Sequence, residues 1–570
     1  MNAAKTKNRI NLFKADLAIL LPGCALVFLF SLLLLSCDQP FHLDRLRALA
    51  EQIRQTGLLQ YPHFVNFSSN EGMGYATPTF YGDLLLLPAA LLICLGMPLR
   101  WAYALTAAVC MFASWASMCQ ALRAFYPDAE PSRCSAAALV YALSNYLLFE
   151  TVERSSMGAV LLFPVIPWLF VSFFQILNGT DELHQKRICL RLAVSLGLVL
   201  VTHLQSAVII TLFLFLAAFL NPRRLFRKRT FLRFAGAAAA FFTLTVWFWA
   251  PMLEQMAWQP LFVTSSDISM GKYPLASGMI AWPTILFPNY VYAWLIEHLN
   301  AWFGLSLSLP TGSPWTFTIP ACWWAGMLLF AVVAVRALYS RRPVHPFVTR
   351  ICVPFLVVCF PFSFTTWFCI QRLFGFMQFP WRIMLLFTVL LPLVLMETPV
   401  LVRPDWDKII LRVLAAAGAA TYLVAFAILL QRGAPVNASS IGQGEYLPAA
   451  FAQLLGEQDL PGRIREENSV EQVVPRGNGY EVSLQPGWET QKSLELPVVA
   501  YKGYAIYSEQ GNRCGAVAAS ANGLVQVDAD LVPASRFYLR YEGTVVQAAS
   551  KWLSVAALVV LGVIWRKEKK

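Results

Sequence analysis

The chain has 570 residues, of which 58% are hydrophobic and only 13% are charged, and its formal net charge is +12. A soluble globular chain carries roughly 25% charged residues, so this composition excludes an ordinary soluble protein and indicates one with many membrane-spanning helices. The positive charge does not indicate nucleic-acid binding, because the basic residues form short runs between apolar segments, as in PRRLFRKR at 222–229. That arrangement is typical of the positive-inside signal, which orients helices in a bilayer.

Apolar segments that approach the length of a membrane-spanning helix, about 20 residues, recur along the whole chain. We predict twelve spans, at about 16–36, 100–123, 135–149, 159–178, 189–204, 206–221, 233–254, 318–338, 348–367, 381–399, 408–431 and 551–565. The first segment ends in LLLLSC, which is similar to a lipoprotein cleavage site. We interpret it as an uncleaved helix, because it contains Asp16 and because further spans follow.

One further apolar segment, GDLLLLPAALLICLG at 82–96, is ambiguous, since it could cross the membrane, re-enter it or lie flat on its outer face. If this segment does not cross, the charged loops between the later spans all fall on the cytoplasmic side, which agrees with the positive-inside signal. We therefore predict twelve crossings with both termini in the cytoplasm. Four segments then face outward: 37–99, 151–158, 255–317 and 432–550.

Two of the outward segments have a recognisable pattern. In 37–99, the stretch HLDRLRALAEQIRQTG has apolar residues at helical spacing, which predicts an amphipathic helix on the membrane surface. In 432–550, short alternating runs are broken by Gly, Pro and Asn, which predicts an antiparallel β-sandwich. The predicted fold is thus an α-helical polytopic membrane domain over 1–431, an extracytoplasmic β-sandwich over 432–550, and a final helix with a basic tail over 551–570.

Ionisable side chains beside hydrocarbon are costly, so those that face outward near the spans are candidate functional residues. The candidates are Asp38, His42, Asp44, Arg45, Asp83, Glu150, Glu153, Arg154, His203, Arg372 and Arg382. Carboxylates can abstract a proton and arginines can bind phosphate, and group transfer from a lipid-phosphate donor needs both roles. The alternatives are a solvated interfacial side chain in general, a hydrogen-bonded core histidine for His203, and a snorkelling side chain for Arg382.

Spacing distinguishes the residues that follow the first span. On a helix that begins near Pro40, His42 and Arg45 are three residues apart and share a face. Asp44 points towards the polar side of that helix, whereas Asp38 precedes the helix where the chain leaves the membrane. We therefore favour Asp38 over Asp44 as the catalytic carboxylate.

Several other functions lack the motifs that they require. There is no glycine-rich nucleotide loop, which argues against ATP-driven transport and against a cytoplasmic nucleotide-sugar site. The six histidines show no metal-binding spacing, and most of the twelve cysteines lie inside apolar segments. The sequence therefore specifies no cofactor, although it leaves a divalent metal open.

Six stretches carry a resemblance to a known family: CDQPFHLDRLRALAEQIRQTG, GMGYATPTFYGDLLLLPA, VERSSMG, THLQS, QFPWR and GQGEYLP. In this order they resemble a family of bacterial multi-spanning proteins labelled "membrane protein, 6-pyruvoyl-tetrahydropterin synthase-related", over about residues 16–545. Nothing in the sequence supplies the histidine site of the soluble pterin synthase. In its layout the family resembles the GT-C glycosyltransferases, which take a sugar from a polyprenyl-phosphate carrier on the outer membrane face.

The resemblance implies roles for individual residues. Asp38 would take the acidic role of the first outer loop, and Arg154 and Arg382 would hold the carrier phosphate. The residues that would line the cavity are His42, Arg45, Asp83 and His203. The family pattern has a glutamate after the glycine of RSSMG, whereas this chain has Ala159. We take Glu153 as the second catalytic carboxylate, with Glu150 as the alternative.

The resulting expectation is an integral glycosyltransferase of the bacterial cytoplasmic membrane, in contact with membrane lipids. It would transfer a sugar from a polyprenyl-phosphate donor to a glycan, lipid or protein acceptor of the cell envelope, with the β-sandwich binding the acceptor or a glycan. A non-catalytic envelope-assembly subunit is an alternative, which Ala159 favours. A transporter or flippase for lipid-linked glycans is another, but the sequence shows no internal repeat and its polar residues gather at one face.

Overall fold

The computed structural model describes residues 2–36, 38–179, 184–264, 289–306, 380–397, 404–432, 444–455, 457 and 459–567. The predicted spans at 318–338 and 348–367 lie outside the described residues, as do Arg372 and most of the outward segment 255–317.

Most of the described chain is α-helical. The helices of eight or more residues are α1 (Asn2–Leu33), α2 (Gln39–Thr56), α3 (Leu87–Cys94), α4 (Leu99–Phe125), α5 (Pro131–Ala142), α6 (Ile166–Asn178), α7 (Gln185–Thr202), α8 (Leu204–Phe219), α9 (Lys228–Trp258), α10 (Asn289–Phe303), α11 (Met384–Leu395), α12 (Pro404–Arg432), α13 (Leu460–Glu467) and α14 (Val545–Lys567). Single helical turns are found at Thr77–Phe80, Asn145–Leu148, Met157–Val160, Pro222–Leu225 and Ala449–Ala452, and a π-helical turn at Phe149–Glu153.

Four helices in the described part of the chain are long and apolar enough to cross a membrane: Phe13–Leu33, Leu99–Phe125, Lys228–Trp258 and Val545–Arg566. A fifth candidate is the bent pair Pro131–Ala142 and Asn145–Glu153, whose two parts meet at 40°. Other apolar helices are shorter: Leu84–Cys94, Ile166–Asn178, Leu204–Phe219 and Met384–Leu395. The described residues thus support several of the twelve predicted spans by length and composition, and the others stay predictions.

The ambiguous segment 82–96 forms a short helical stretch. Its helical residues are Leu84–Cys94, which at 1.5 Å per residue extend for about 16 Å. The hydrocarbon core of a bilayer is about 30 Å thick, so this stretch is too short to cross it as a single straight helix.

By its internal contacts the chain divides into two compact units, which we describe separately. The first unit comprises residues 1–39, 103–238 and 270–437. In it, α5 packs against α1, α11 and α12, while α7 packs against α6 and α8. Every residue of α11 is buried, as are most residues of α5 and α6, so these three helices form the core of the unit. A helix that is apolar on all sides needs such surroundings.

A buried ionic cluster joins three helices of the first unit near the beginning of the apolar part of α1. Asp16 is fully buried, and its carboxylate accepts hydrogen bonds from Arg412 Nε at 2.7 Å and from Ser135 Oγ at 2.6 Å. Arg133, two residues before Ser135 in α5, pairs with Asp407 of α12. The charge of Asp16 within an apolar helix is therefore compensated by an arginine on a neighbouring helix.

The second unit comprises residues 40–102, 239–269 and 438–570 and contains two antiparallel sheets. The strands are β1 (Val470–Pro475), β2 (Gly479–Leu484), β3 (Ser493–Val499), β4 (Tyr504–Tyr507), β5 (Arg513–Ala516), β6 (Ala518–Ala519), β7 (Leu524–Asp528) and β8 (Arg536–Tyr541). The five-stranded sheet has the order β1-β2-β8-β4-β5 and the three-stranded sheet the order β3-β7-β6. Buried and more exposed residues alternate along β2 and β8, as the sequence pattern predicts for strands with one face in a core. The predicted C-terminal antiparallel sheet region is confirmed.

The sheets belong to one unit with the segment 40–102 and the end of α9. The Tyr480 hydroxyl donates a hydrogen bond to the carbonyl of Phe67 at 3.2 Å, and Gln255 Nε2 donates to the carbonyl of Lys502 at 2.8 Å. The sequence predicted a domain boundary near residue 431, because the strand pattern begins after that residue. It gave no sign of the contacts that the sheets make with residues 40–102 and with α9.

Helix α2 is more buried than the predicted surface helix. Only Arg54 and Gln55 of this helix are exposed. Its polar side is covered by a loop of the same unit, because the Ser69 hydroxyl donates to the Asp44 carboxylate at 2.6 Å and the Ser68 hydroxyl donates to that of Glu51 at 2.7 Å. The apolar side of α2 is thus buried, its polar side chains are half-exposed, and its placement on a membrane surface stays a prediction.

Candidate functional site

The candidate site begins at Asp38, just beyond the end of α1. Asp38 is 6% exposed, and its carboxylate accepts a hydrogen bond from Arg154 Nε at 3.1 Å. Its backbone N–H donates to the carbonyl of Arg154 at 2.8 Å. The neighbouring Gln39 side chain donates to the carbonyl of Ser31 and accepts from the N–H of Ser36, which satisfies backbone groups at the end of α1. Asp38 is thus held in place by its backbone bond to Arg154 and by the bonds of the neighbouring Gln39 to the end of α1.

Arg154 belongs to the VERSSMG stretch and directly follows the π-helical turn Phe149–Glu153, which contains the first two residues of that stretch. Turns of this kind are rare in proteins and are frequent at functional sites. The next residue, Ser155, has a φ of +53°, which is uncommon for a residue with a side chain. The Tyr103 hydroxyl donates to the carbonyl of Ser155 at 2.9 Å, and the N–H of Ser156 donates to that of Glu150 at 2.8 Å. These bonds fix the turn and direct Arg154 to Asp38.

Glu150 supplies a second buried carboxylate in this site. It is 1% exposed, and one of its oxygens lies 3.8 Å from Arg154 Nη1. The charges of Asp38 and Arg382 also act on this carboxylate, as does the Tyr146 side chain. Arg154 therefore lies between the carboxylates of Asp38 and Glu150.

The sequence favours Glu153 as the second carboxylate, but in the structure Glu153 is only half-buried. Glu150 meets Arg154 across the π-helical turn, whose side-chain directions the ordinary helical period does not predict. Ala159, at the position where the resemblance expects glutamate, is buried in the turn Met157–Val160 and offers no polar atom from its side chain.

Arg382 completes the cluster from a 3₁₀ turn, Pro380–Ile383, that leads into α11. It is 4% exposed, so its guanidinium does not reach water as that of a snorkelling arginine would. Arg154 contacts the carboxylates of both Asp38 and Glu150, and the charge of Arg382 acts on Glu150. We call these four residues the carboxylate–arginine cluster.

His203 lies at the break between α7 and α8 in the same unit. It is 5% exposed, and its Nδ1 accepts a hydrogen bond from the N–H of Ser206 at 3.2 Å. The side chain therefore caps the beginning of α8, which agrees with the alternative of a hydrogen-bonded core histidine.

In the second unit, Arg45 contacts His42 on its own helix and the FYGD stretch at 80–83. Its Nη2 donates to the carbonyls of Tyr81 and Gly82 at 2.8 and 3.0 Å, and its Nη1 lies 3.2 Å from Nδ1 of His42. The guanidinium also lies 4.0 Å from the centroid of the Tyr81 ring, where a cation–π interaction is favourable. The expected shared face of His42 and Arg45 is therefore present, and Arg45 uses much of its donor capacity to hold this turn.

Asp83, the remaining predicted residue, is 5% exposed and accepts a hydrogen bond from the Tyr61 hydroxyl at 3.0 Å. Burial raises the pKa of the Asp83 carboxyl, although the Arg45 charge and the hydrogen bond from Tyr61 act in the opposite direction. Most of the predicted site residues thus belong to two clusters, each described within its own unit, while His203 caps the beginning of α8.

The carboxylate–arginine cluster of the first unit has two carboxylates for accepting protons and two guanidiniums for binding an oxyanion. Within the described part of the chain, no three His, Cys, Asp or Glu side chains are grouped as metal ligands would be.

In comparisons with known proteins, no protein-family model and no curated protein sequence matches this chain.

Proposed function

We propose that this chain is an integral membrane glycosyltransferase that transfers a sugar from a polyprenyl-phosphate donor to a cell-envelope acceptor. The observation that carries the proposal is the carboxylate–arginine cluster, which is buried and lies directly beyond the candidate span of α1. Transfer of a sugar to a hydroxyl group needs a base for the hydroxyl proton and cations for the phosphate that leaves. The cluster contains both kinds of group.

The position of α1 in the membrane supports an outward site. From Asp16 to Leu33 the helix extends for about 27 Å, which is close to the thickness of the hydrocarbon core. The buried ionic cluster around Asp16 lies at one end of this stretch, and Asp38 follows the other end. We place Asp16 near the cytoplasmic surface and Asp38 near the outer surface of a bacterial cytoplasmic membrane.

The remaining topology follows from the sequence and belongs to the same proposal. It has twelve spans in a GT-C-like arrangement, both termini in the cytoplasm, and the sheet region outside. The basic run at 222–229 and the basic C-terminal tail then lie in the cytoplasm, in agreement with the positive-inside rule.

In the proposed reaction, the acceptor hydroxyl oxygen forms a bond to the anomeric carbon of the donor sugar. The bond from that carbon to the carrier phosphate breaks, and the phosphate leaves with the electron pair. Asp38 accepts the hydroxyl proton, while Arg154 and Arg382 bind the phosphate oxygens. Glu150 orients the Arg154 guanidinium and balances its charge until the anionic donor binds.

The direct test is transfer by the purified full-length protein in proteoliposomes with a panel of radiolabelled polyprenyl-phosphate sugars. We expect label to pass from at least one donor to an envelope lipid, glycan or peptide supplied as acceptor. If no donor in the panel is consumed under conditions in which a known transferase of this type is active, the proposal fails.

A second candidate function is a non-catalytic subunit of an envelope-assembly complex. Two observations favour it: Ala159 stands where the resemblance expects glutamate, and Asp38 is already bound by Arg154. Under this function the cluster would only stabilise the turn after α1. Conversion of a labelled polyprenyl-phosphate sugar by the purified protein would rule it out as the sole role.

A further inference from the structure

Lys551 is a cation inside a candidate span, and no described residue pairs with it as a counter-ion. It belongs to α14, within the apolar segment Val545–Arg566, and its side chain is half-buried. It forms no ion pair or hydrogen bond with any other residue that the structure describes. A lysine in an apolar helix is costly unless an anion accompanies it, so its position calls for a partner.

His63 of the same unit has a polar atom without a partner. It is 6% exposed, and its buried Nε2 has no hydrogen-bond partner among the described residues. Burial, together with the charge of Lys551, lowers the pKa of His63 to about 4. The imidazole is therefore neutral at pH 7 and carries one N–H, which in the tautomer protonated at Nε2 can serve as a donor to an anion.

A series of contacts leads from His63 to α14, the helix that carries Lys551. The Tyr61 ring lies edge-on to His63 at 6.1 Å and 6.2 Å from the ring of Trp247 in α9. The backbone N–H of Trp247 donates to the Ser554 hydroxyl at 3.3 Å. Ser554 is three residues after Lys551 and therefore lies on the same face of α14. Lys551 thus lies on the face of α14 that contacts α9 at Trp247, and its charge acts on His63.

We propose that Lys551 and His63 bind the phosphate group of a membrane lipid. A compact cation and a neutral N–H donor match the oxygens of a phosphate, and charge-assisted hydrogen bonds to such oxygens are strong. Asp83 is the acidic residue that contacts Tyr61, and its carboxylate accepts a hydrogen bond from the Tyr61 hydroxyl.

The source of the phosphate follows from the helix that carries the lysine. Trp552 and Leu553, which follow Lys551 directly, are 68% and 52% exposed. These apolar side chains offer a surface for acyl chains, which a lipid has and a free phosphate lacks. The site requires no catalysis, so it goes beyond the proposed transfer reaction and stands independently of it.

The test is the affinity of the full-length protein in a neutral detergent for dihexanoyl phosphatidic acid, measured from thermal-shift titrations. We expect Lys551→Gln to raise the dissociation constant at least about tenfold, as the loss of one charge-assisted hydrogen bond does. His63→Leu should raise it by several-fold, while His63→Gln, which keeps an N–H at the position of Nε2, should bind nearly as tightly as the wild type. Lys492→Gln is the matched control, because Lys492 is an exposed lysine of the same unit.

Two further ligands distinguish the sources of binding. Inorganic phosphate should bind at least about tenfold more weakly than the lipid, and dihexanoyl phosphatidylcholine, whose phosphate is neutralised by its choline, should also bind more weakly. Equal affinity of the wild type and Lys551→Gln for the phosphatidic acid overturns the proposal. Equal affinity for inorganic phosphate and the lipid overturns its assignment to a lipid.

Discussion

Arg154 provides the sharpest test of the carboxylate–arginine cluster, because its replacement leaves two buried carboxylates without their shared cation. In Arg154→Met, the side chain keeps its length and much of its apolar surface but loses its charge and its donors. Coulomb's law gives about 4 kcal/mol for unit charges 3.8 Å apart at an effective dielectric constant of 20. Measured costs of breaking one partner of a buried ion pair are about 3–5 kcal/mol. We therefore expect Arg154→Met to lower the free energy of unfolding by about 3–5 kcal/mol.

Arg47 is a matched control for this substitution. It also contacts two carboxylates, those of Asp44 at 2.6 Å and Glu51 at 3.2 Å, but its side chain is 41% exposed, compared with 10% for Arg154. Exposed ion pairs contribute about 0–1 kcal/mol, so Arg47→Met should cost about 1 kcal/mol or less.

The assay is reversible unfolding by sodium dodecyl sulfate in mixed micelles, followed by far-UV circular dichroism, for the wild type and both variants. The double variant Arg154→Met/Glu150→Gln should recover part of the loss, because one of the two unpaired charges is removed. If Arg154→Met costs no more than Arg47→Met, the cluster is not a buried ionic network and the reasoning is refuted.

Two other predictions concern single ionisable groups. In sugar transfer, Glu150→Gln should reduce the rate by at least about tenfold and Glu153→Gln by less than about threefold, because Glu150 is the carboxylate that pairs with the arginine proposed to bind the phosphate; the reverse order would transfer the role to Glu153. His63 should make stability depend on pH: its pKa is about 4 in the folded chain and 6.5 in the unfolded chain, so the unfolded state binds a proton first as the pH falls. The contribution of His63 to the free energy of unfolding is therefore fully present above pH 6.5 and falls by up to about 3 kcal/mol towards pH 4. His63→Gln should lack this loss in unfolding titrations at about pH 4–7.5. Identical pH dependence in both proteins would contradict the prediction.

Local spacing was enough to predict some parts of the site. The pairing of His42 with Arg45 follows from their three-residue separation on a helix. Asp38 was separated from Asp44 because one precedes the helix and the other lies on its polar side, and the structure places Asp44 in a half-exposed ion pair with Arg47. These relations depend only on the geometry of one helix.

The choice between Glu150 and Glu153 depended on features that spacing does not encode. A π-helical turn has more residues per turn than an α-helix, so the directions of side chains within Phe149–Glu153 do not follow the ordinary 3.6-residue period. The burial of α2 had a similar cause, because the covering loop with Ser68 and Ser69 approaches it only in the folded unit. Tertiary contacts, not local pattern, decided both.

The number of spans was also beyond the reach of composition. The helix Ile166–Asn178 is as apolar as a membrane span but has only 13 residues, and the protein buries it on nearly all sides. Apolar composition identifies a helix that avoids water, but it does not distinguish a helix in lipid from one in a protein core. Only length and surroundings make that distinction.

The most direct measurement of the central claim compares sugar transfer by Asp38→Asn and by the wild type in proteoliposomes. The asparagine keeps an oxygen that can accept the hydrogen bond from Arg154 Nε but cannot take up the acceptor's proton. Loss of a general base reduces a rate by about 10²–10⁴-fold, so we predict at least a 100-fold decrease with unchanged abundance and fold. Asp44→Asn, in a half-exposed ion pair on the neighbouring helix, should keep its activity. Full transfer activity in Asp38→Asn would contradict the account.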